Sequence, residues 1–301
     1  MLTALKSLLC FSVRLALCCW LVFLPSPALA HDDLHEQIAR ATQQIRKDPK
    51  NPELYLKRGE LHRAHRDWTK ALADYDRAAR LAPSLAKVNF HRGRMLLEAG
   101  RLQPGKTALD RFLAREPRLG EALLTRARVF QQLGEHRAAA DDYARALALL
   151  PGAKPDHYLE RAKAQLAVTG AASVDEALEG LDGGIEKFGP LVTLQLLAID
   201  LELGKRNWDG ALGRLDRVAV QSPRKEMWLA RRGEILLQAG RAHEAREAFA
   251  AALKSIEALP ARTRQIRATA KLEKQVRSVL ESQLPDGTEK ITRPLPHLIR
   301  Q

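Results

Sequence analysis

A period of about 34 residues constrains this chain more than any other feature. One column of mostly small residues holds Gly59, Gly93, Ala127, Ala162, Ile199 and Gly233, at steps of 34, 34, 35, 37 and 34. A second holds Ala71, Gly105, Ala139, Ala177, Ala211 and Ala245, at steps of 34, 34, 38, 34 and 34. Tyr75, Leu109, Tyr143, Leu181, Leu215 and Phe249 keep the second set of steps, and Pro83, Pro117 and Pro151 close the first three units. Several columns in register at one period mark a repeat architecture, in which each unit buries its faces against its neighbours.

The physics of one unit can be read from its spacing. Tyr55, Gly59 and His62 fall on one side of a first helix, and Ala71, Tyr75 and Ala78 on one side of a second. Pro83 stops the second helix because it can neither donate a backbone hydrogen bond nor fit the preceding turn. Small residues at Gly59, Ala71 and Ala78 let the two helices approach, and Tyr75 fills the space between units. Alanine, leucine, arginine and glutamate dominate the composition, and β-branched residues are comparatively few, so the expected class is all-α.

A 34-residue unit with an aromatic residue, a glycine, then Ala-x-x-x-Tyr and a proline resembles the tetratricopeptide repeat. The resemblance covers residues 51–260 and implies a right-handed α-solenoid of about six helix pairs. Two units depart from the pattern. The fourth carries extra residues around Gly170 to Asp175, and its Gly183-Gly184 pair is expected to weaken a helix that should be apolar. The fifth has Ile199 where a small residue is usual. Before the array, residues 31–50 read as a half-repeat helix, with Leu34, Ile38, Ala41 and Ile45 at helical spacing. After it, residues 261–284 read as a charged capping helix with an apolar stripe of Leu272, Val276, Val279 and Leu280. Pro, Gly and charge take over in residues 285–301, which are expected to form a flexible tail.

Residues 1–30 stand apart. Lys6 and Arg14 precede an apolar run from Leu15 to Leu24, and Ala28-Leu29-Ala30 supplies a small-x-small cleavage pattern. The run is shorter than the roughly 20 residues that span a bilayer, so it reads as a cleaved signal peptide, with His31 as the mature N-terminus and a periplasmic or secreted destination. A retained anchor is the alternative. All three cysteines (Cys10, Cys18 and Cys19) lie in this segment, which leaves the expected mature chain without disulfides or thiolate chemistry. Loss of Lys6 and Arg14 lowers the formal charge from +13 to +11, spread along the chain, which favours acidic partners.

Several motifs resemble chemical sites and dissolve in the repeat grammar. Gly100-x-x-x-x-Gly105-Lys106-Thr107 matches a phosphate loop letter for letter, but a helix rather than a strand is expected before it, and Gly100 falls in the inter-helix turn that Gly134 and Gly240 occupy in later units. His31 and His35 are read as solvated, not as a copper site. Ser84-x-x-Lys87 has no companion motif for acyl transfer. The spacing shows no paired carboxylates and no metal-ligand set, so neither catalysis nor a cofactor is expected. Arg58, Arg92, Arg126, Arg161 and Arg232 recur one residue before the small column. They are read as packing their stems between helices and pairing with second-helix acids such as Asp74 and Asp142, in preference to forming an anion-binding ladder.

The functional candidates follow the small column: Glu60, Arg94, Arg128, Lys163, Asp200 and Glu234, with Leu56, Phe90, Leu124, Leu159, Leu196 and Ala230 one helical turn earlier on the same face. The resemblance implies that this face lines a concave, peptide-holding groove. Leu56, Phe90, Leu124 and Leu159 would then be apolar anchors, and Arg94, Arg128 and Lys163 a basic middle for a protein or peptide partner with an acidic segment. The plainer alternative is that these are ordinary solvated side chains. The paired Lys, Asn and Arg that grip a terminal carboxylate in some members of the family are not visible. Attachment to anionic lipid or polymer through the basic surface is the alternative function. It would need only peripheral membrane contact, since no Trp- and Lys-rich amphipathic helix stands out. A nucleic-acid partner is not expected, because no aromatic residues interleave with the basic ones.

Overall fold

The computed structural model describes residues 27–170 and 172–282. The expected leader, apart from its last few residues, and the expected tail therefore lie outside the described residues. Among these residues the structure is all-α, and at the end of its fifth helix the chain divides into two compact units, up to Phe112 and from Leu113 onward.

The first unit holds α1 (Pro27–Lys47), the pair α2 (Pro52–Ala64) and α3 (Trp68–Leu81), and the pair α4 (Lys87–Glu98) and α5 (Leu102–Leu113). Helix α1 begins ahead of Leu34, where the apolar spacing starts, and it buries Ala41 and Ile45. Asn51 caps α2 by accepting a hydrogen bond from the Glu53 backbone N–H at 3.1 Å, with Pro52 at the first helical position, where its missing N–H costs nothing. Asp67 caps α3 in the same manner through Lys70.

The second unit stacks four pairs: α6 (Gly120–Leu133) with α7 (His136–Leu149), α8 (Pro155–Leu166) with α9 (Ala172–Phe188), α10 (Val192–Gly204) with α11 (Trp208–Gln221), and α12 (Glu226–Gln238) with α13 (Ala242–Glu257). A short turn of helix, α14 (Ala261–Arg264), leads to α15 (Arg267–Ser282), which packs on α13 and buries Val276 and Val279. The stripe read from the sequence is thus the side that α15 turns inward.

Several pairs are closed by a bulky side chain seated where the partner helix has only a glycine. A methyl group on Gly59 would lie 2.6 Å from the Tyr75 ring, one on Gly93 2.5 Å from Leu109 Cγ, and one on Gly233 2.8 Å from the Phe249 ring. Real Cβ contacts are never that short, so glycine is required. The fourth unit keeps buried Ala162 and Leu181 in those columns and adds a close contact at the places of Tyr55 and Ala78 in the first unit. Tyr158 on the first helix lies against Gly184 on the second, where a Cβ would come within 2.9 Å of the ring. The expectation that Gly183-Gly184 weakens this helix is corrected for Gly184: α9 runs unbroken through both, and the propensity lost at Gly184 is offset by seating an aromatic ring that also meets Phe188 edge-on at 5.8 Å, while Gly183 faces open space.

The inter-helix turns share one backbone requirement. Gly100, Gly134 and Gly240 have φ of 71°, 78° and 75°, and the equivalent places in the first and fifth units are taken by Arg66 at 59° and Arg206 at 57°. A left-handed conformation costs a residue with a Cβ about 1–2 kcal/mol.

The packing and the turns make three substitutions informative. Tyr143 is fully buried, and its hydroxyl donates to Gln131 Oε1 at 2.8 Å. Its truncation to Ala is expected to cost about 3–5 kcal/mol in denaturant unfolding, and Gly93→Leu about 1–3 kcal/mol by overpacking. A neutral Gly93→Leu contradicts the register. Arg206→Gly should raise stability by about 0.5–1 kcal/mol, the left-handed strain relieved less the added freedom of the unfolded chain. A loss of stability there would place the strain elsewhere.

Candidate functional site

The face picked out in the sequence is carried by the first helix of each pair. In the first unit Leu56 and Phe90 are buried rather than presented to solvent. Leu56 packs in a cluster with Tyr55, Tyr75 and Val88, and Phe90 lies 5.5 Å from Phe112, ring to ring. Above them sits a charge network centred on Glu60. Tyr75 donates its hydroxyl to Glu60 Oε1 at 2.5 Å, Arg63 approaches Oε2 at 3.2 Å, His91 Nδ1 lies 3.0 Å from Oε1, and Arg94 pairs directly with Oε2. Arg94 also lies over the Phe90 ring at 5.6 Å, and Arg63 reaches on to Glu98 at 2.6 Å. Burial alone would raise the Glu60 carboxyl. The contacts from His91 and Tyr75 and the charges of His91 and Arg94 outweigh it and hold the group at about 2. The Tyr75 hydroxyl moves upward, first because it is buried and then because it faces that carboxylate.

In the second unit Leu124 is buried and Leu159 half-buried. Arg128 is paired with Glu160 at 3.1–3.2 Å. Arg231 bridges Asp200 at 3.4 Å and the buried Glu234 at 2.7 Å. Lys163 differs from the other basic residues of its column. It is exposed and has no ion-pair or hydrogen-bond partner among the described residues. On α10, which packs next to α8 and carries Asp200 at Lys163's place, Val192 and Leu196 stand two turns and one turn before Asp200 on the same helix face, and both are exposed (45% and 37%). Thus the apolar residues named from the sequence are mostly floor, and the expected basic middle is largely neutralised by Glu60 and Glu160.

Sequence reasoning overlooked His91, Arg63, Glu160 and Arg231. These pairings run between residues 31–35 apart, from one repeat to the next. Testing acid–base pairs at the repeat period would have found them. Val192 was also missed, although α10 is apolar on almost every side, with Leu194, Leu197, Ala198, Ile199 and Leu201 besides Val192 and Leu196. A helix apolar all round is fully buried or awaits a cover.

The recurring arginines act as structural pairs where partners exist. Arg58 holds Asp74 with two bonds (2.8 and 2.6 Å), Arg126 holds Asp142 likewise (2.6 and 2.9 Å), Arg92 meets Asp76 at 2.5 Å, and Arg232 meets Asp216 at 2.6 Å. Arg161 has no such partner among the described residues. The phosphate-loop letters lie in a helix–turn–helix: Gly100 is the left-handed turn, Gly105 is inside α5, and Thr107 donates to the Gln103 carbonyl at 3.1 Å. His35 is exposed with its ring 4.6 Å from that of His65. His62 is buried 4.0 Å from Asp74, and burial pushes its pKa down. No group of three metal-ligating side chains occurs among the described residues.

A family model described as a tetratricopeptide repeat matches residues 28–86, 56–103 and 196–261. Among solved structures, the chain is similar to YrrB, described as a TPR protein with an unusual peptide-binding site. The two are 20% identical with a TM-score of 0.51, over 63% of this chain and 95% of that one. It is also similar to PilW, described as a widely conserved type IV pilus biogenesis factor, at 20% identity and a TM-score of 0.50, over 67% of this chain and 94% of that one. No curated protein matches the sequence. At this identity the structural likenesses bear on the fold alone.

The Glu60 network has a pH signature. Its carboxyl titrates lower in the folded chain than the ordinary value of 4.5, so its contribution is complete above about pH 4.5 and is lost as pH falls toward 2. Glu60→Gln is expected to cost about 2 kcal/mol at pH 7, with the gap to wild type closing as the pH of chemical unfolding is lowered to 2. A constant gap across that range would remove the electrostatic account.

Proposed function

We propose that this chain, a tetratricopeptide-repeat protein, is an interaction scaffold that binds a segment of a partner protein on its first-helix face and performs no chemistry of its own. The binding surface is centred on α8 and α10 in the second unit, and the segment it takes carries apolar side chains beside an acidic one. One observation carries this reading. Lys163 is exposed without a carboxylate on a face where Arg94 and Arg128 already have one, and exposed Val192 and Leu196 lie on the matching face of the neighbouring helix. Desolvating those two side chains supplies affinity, and the free ammonium selects for a carboxylate. Arg94 and Arg128 contribute by holding the helices in register, while Leu56, Phe90 and Leu124 form the floor beneath. The peptide-binding site for which YrrB is described is consistent with such a role for this fold. The first thirty residues support a working place in the periplasm or outside the cell.

The reading is tested with a photo-cross-linking residue at Val192, compared with one at Gly213 on α11, where the space around the chain is open. In cells that make the protein natively, position 192 should give a discrete adduct that Gly213 does not. Lys163→Glu should reduce that adduct about tenfold without changing the unfolding midpoint. The same adducts from both positions, or an adduct indifferent to Lys163→Glu, would remove the surface from consideration.

A further inference from the structure

The arginine column carries an internal control. In every unit that has such an arginine, its guanidinium looks toward two fixed places. One is the third residue after the small position of its own second helix, and the other is the fifth residue after that position in the preceding unit. Asp74 and Asp142 occupy the first place for Arg58 and Arg126. Asp76 and Asp216 occupy the second for Arg92 and Arg232. For Arg161 these two places hold Gly180 and Ala144. The equivalence is geometric as well as numerical, since a Cβ on Gly180 would lie 3.5 Å from Arg161 Cζ and Nε.

Beside this place lies an open cleft. A space of about 740 Å³ opens between α8, α9 and α11, with Arg161, Tyr158, Gly180, Gly183 and Ile185 in its lining. Arg161 is half-buried, and its Nε is shut off from solvent with no hydrogen-bond partner. Gln165 Oε1, on a side chain 4% exposed, is also unpartnered and lies 3.4 Å from the same point at Gly180. The other cavity arginine placed deep in the fold, Arg214, is already engaged, with Asp182 at 2.6 and 2.9 Å and with Glu202 at 3.2 Å. Glu179 and Glu186 line the exposed mouth, and neither comes within the 4.0 Å of an ion pair with Arg161.

From this arrangement we infer that the cavity is a binding site for a ligand carboxylate, which occupies the space over Gly180 and pairs with Arg161 as Asp142 pairs with Arg126. A planar guanidinium suits a carboxylate through two parallel bonds. Three arginines (Arg161, Arg214 and Arg217) and three acids (Glu179, Asp182 and Glu186) line the space, and Asp182 is already held by Arg214, so the charge left to attract a ligand suits a single carboxylate and not a polyanion. Tyr158 and Ile185 give the ligand an apolar wall. Two sources carry this chemistry, a glutamyl or aspartyl side chain of a protein and a free small carboxylic acid.

The full mature chain, with Arg161 identified in ¹⁵N–¹H spectra of the arginine Nε–Hε groups by its absence in Arg161→Gln, is titrated separately with N-acetyl-glutamate amide and with glutarate. A saturable shift of the Arg161 signal is expected. Tighter binding of the capped residue points to a protein side chain, and tighter binding of glutarate to a free acid. Gly180→Asp supplies the missing carboxylate from within, so it should abolish the shift and raise the unfolding midpoint. Gly183→Leu, on an exposed site with open space around it, narrows the mouth and should weaken binding about tenfold while leaving the fold intact. No saturable shift with either probe, or a shift that survives in Gly180→Asp, overturns the inference. Because the site lies on α8, α9 and α11 and uses neither Lys163 nor Val192, its failure leaves the first-helix surface standing, and the reverse holds as well.

Discussion

The rest of this structure depends on a steric exchange within its helix pairs, in which one helix gives up a side chain and the other fills the space. Tyr75 over Gly59, Leu109 over Gly93 and Phe249 over Gly233 set how closely and in which rotation the two helices meet. A packed interior tolerates little change in that geometry. Once the rotation is set, the residue beside each small position faces the acid of the second helix, which is why Arg58 and Arg126 reach Asp74 and Asp142 with two bonds each. The fourth pair adds a second contact of this kind, with Tyr158 on the first helix against Gly184 on the second, at the places that Tyr55 and Ala78 take in the first unit.

The same register explains why a strongly basic chain is not a uniformly basic surface. Its formal charge of +13 describes an excess of arginine and lysine over acids, yet many of those arginines spend their charge inside the repeat lattice. Arg94 neutralises Glu60, Arg128 neutralises Glu160, and Arg214 holds Asp182 and Glu202 together. Exposed pairs of this sort add little to stability, but the half-buried ones fix partners, and breaking one leaves a carboxylate with poor access to water. The charges that remain to act on other molecules are those the lattice leaves over.

Much of this was legible in the sequence because it rests on local steric rules. The columns at 59, 71 and 75 and their successors mark the helix pairs, the glycines at 100, 134 and 240 mark the left-handed turns, and the arginine–aspartate pairing can be read from residue type and spacing. What was not legible depends on how far side chains reach. Leu56, Phe90 and Leu124 share a helical face with exposed charges, but they lie close enough to the next helix to be swallowed by the core. Periodicity alone assigns a face and not a depth. Gly184 was misread because propensity counts only the cost of glycine in a helix and cannot see the Tyr158 ring that occupies the space. Arg66 and Arg206 hid a left-handed turn because their type gives no hint of it. The site residues were half visible: Lys163 and Leu196 are in the column, while Val192 and the cross-repeat partners of the other cations emerge only when neighbouring helices are laid side by side.

A repeat protein offers a control that a single-copy fold lacks, since each position can be compared with its own counterparts under the same packing. Where the counterparts agree, the common cause is stability. Asp142, buried, takes two bonds from Arg126, and losing that arginine would leave it only the longer contact with Arg145 at 3.4 Å. Arg161 stands at the same place, gives up part of its hydration, and receives no carboxylate in return. Removing it strands nothing inside the protein, so the packing account that explains its counterparts does not explain Arg161. Lys163, two residues further along the same helix, departs from its column in the same sense, since Arg94 and Arg128 are paired and it is not. The two departures fall on α8, one turned to the first-helix face and the other to a cavity against the second helices. Stability selects the agreement among repeats. The departures are what the fold leaves free for binding, and here both leave a cation without its acid.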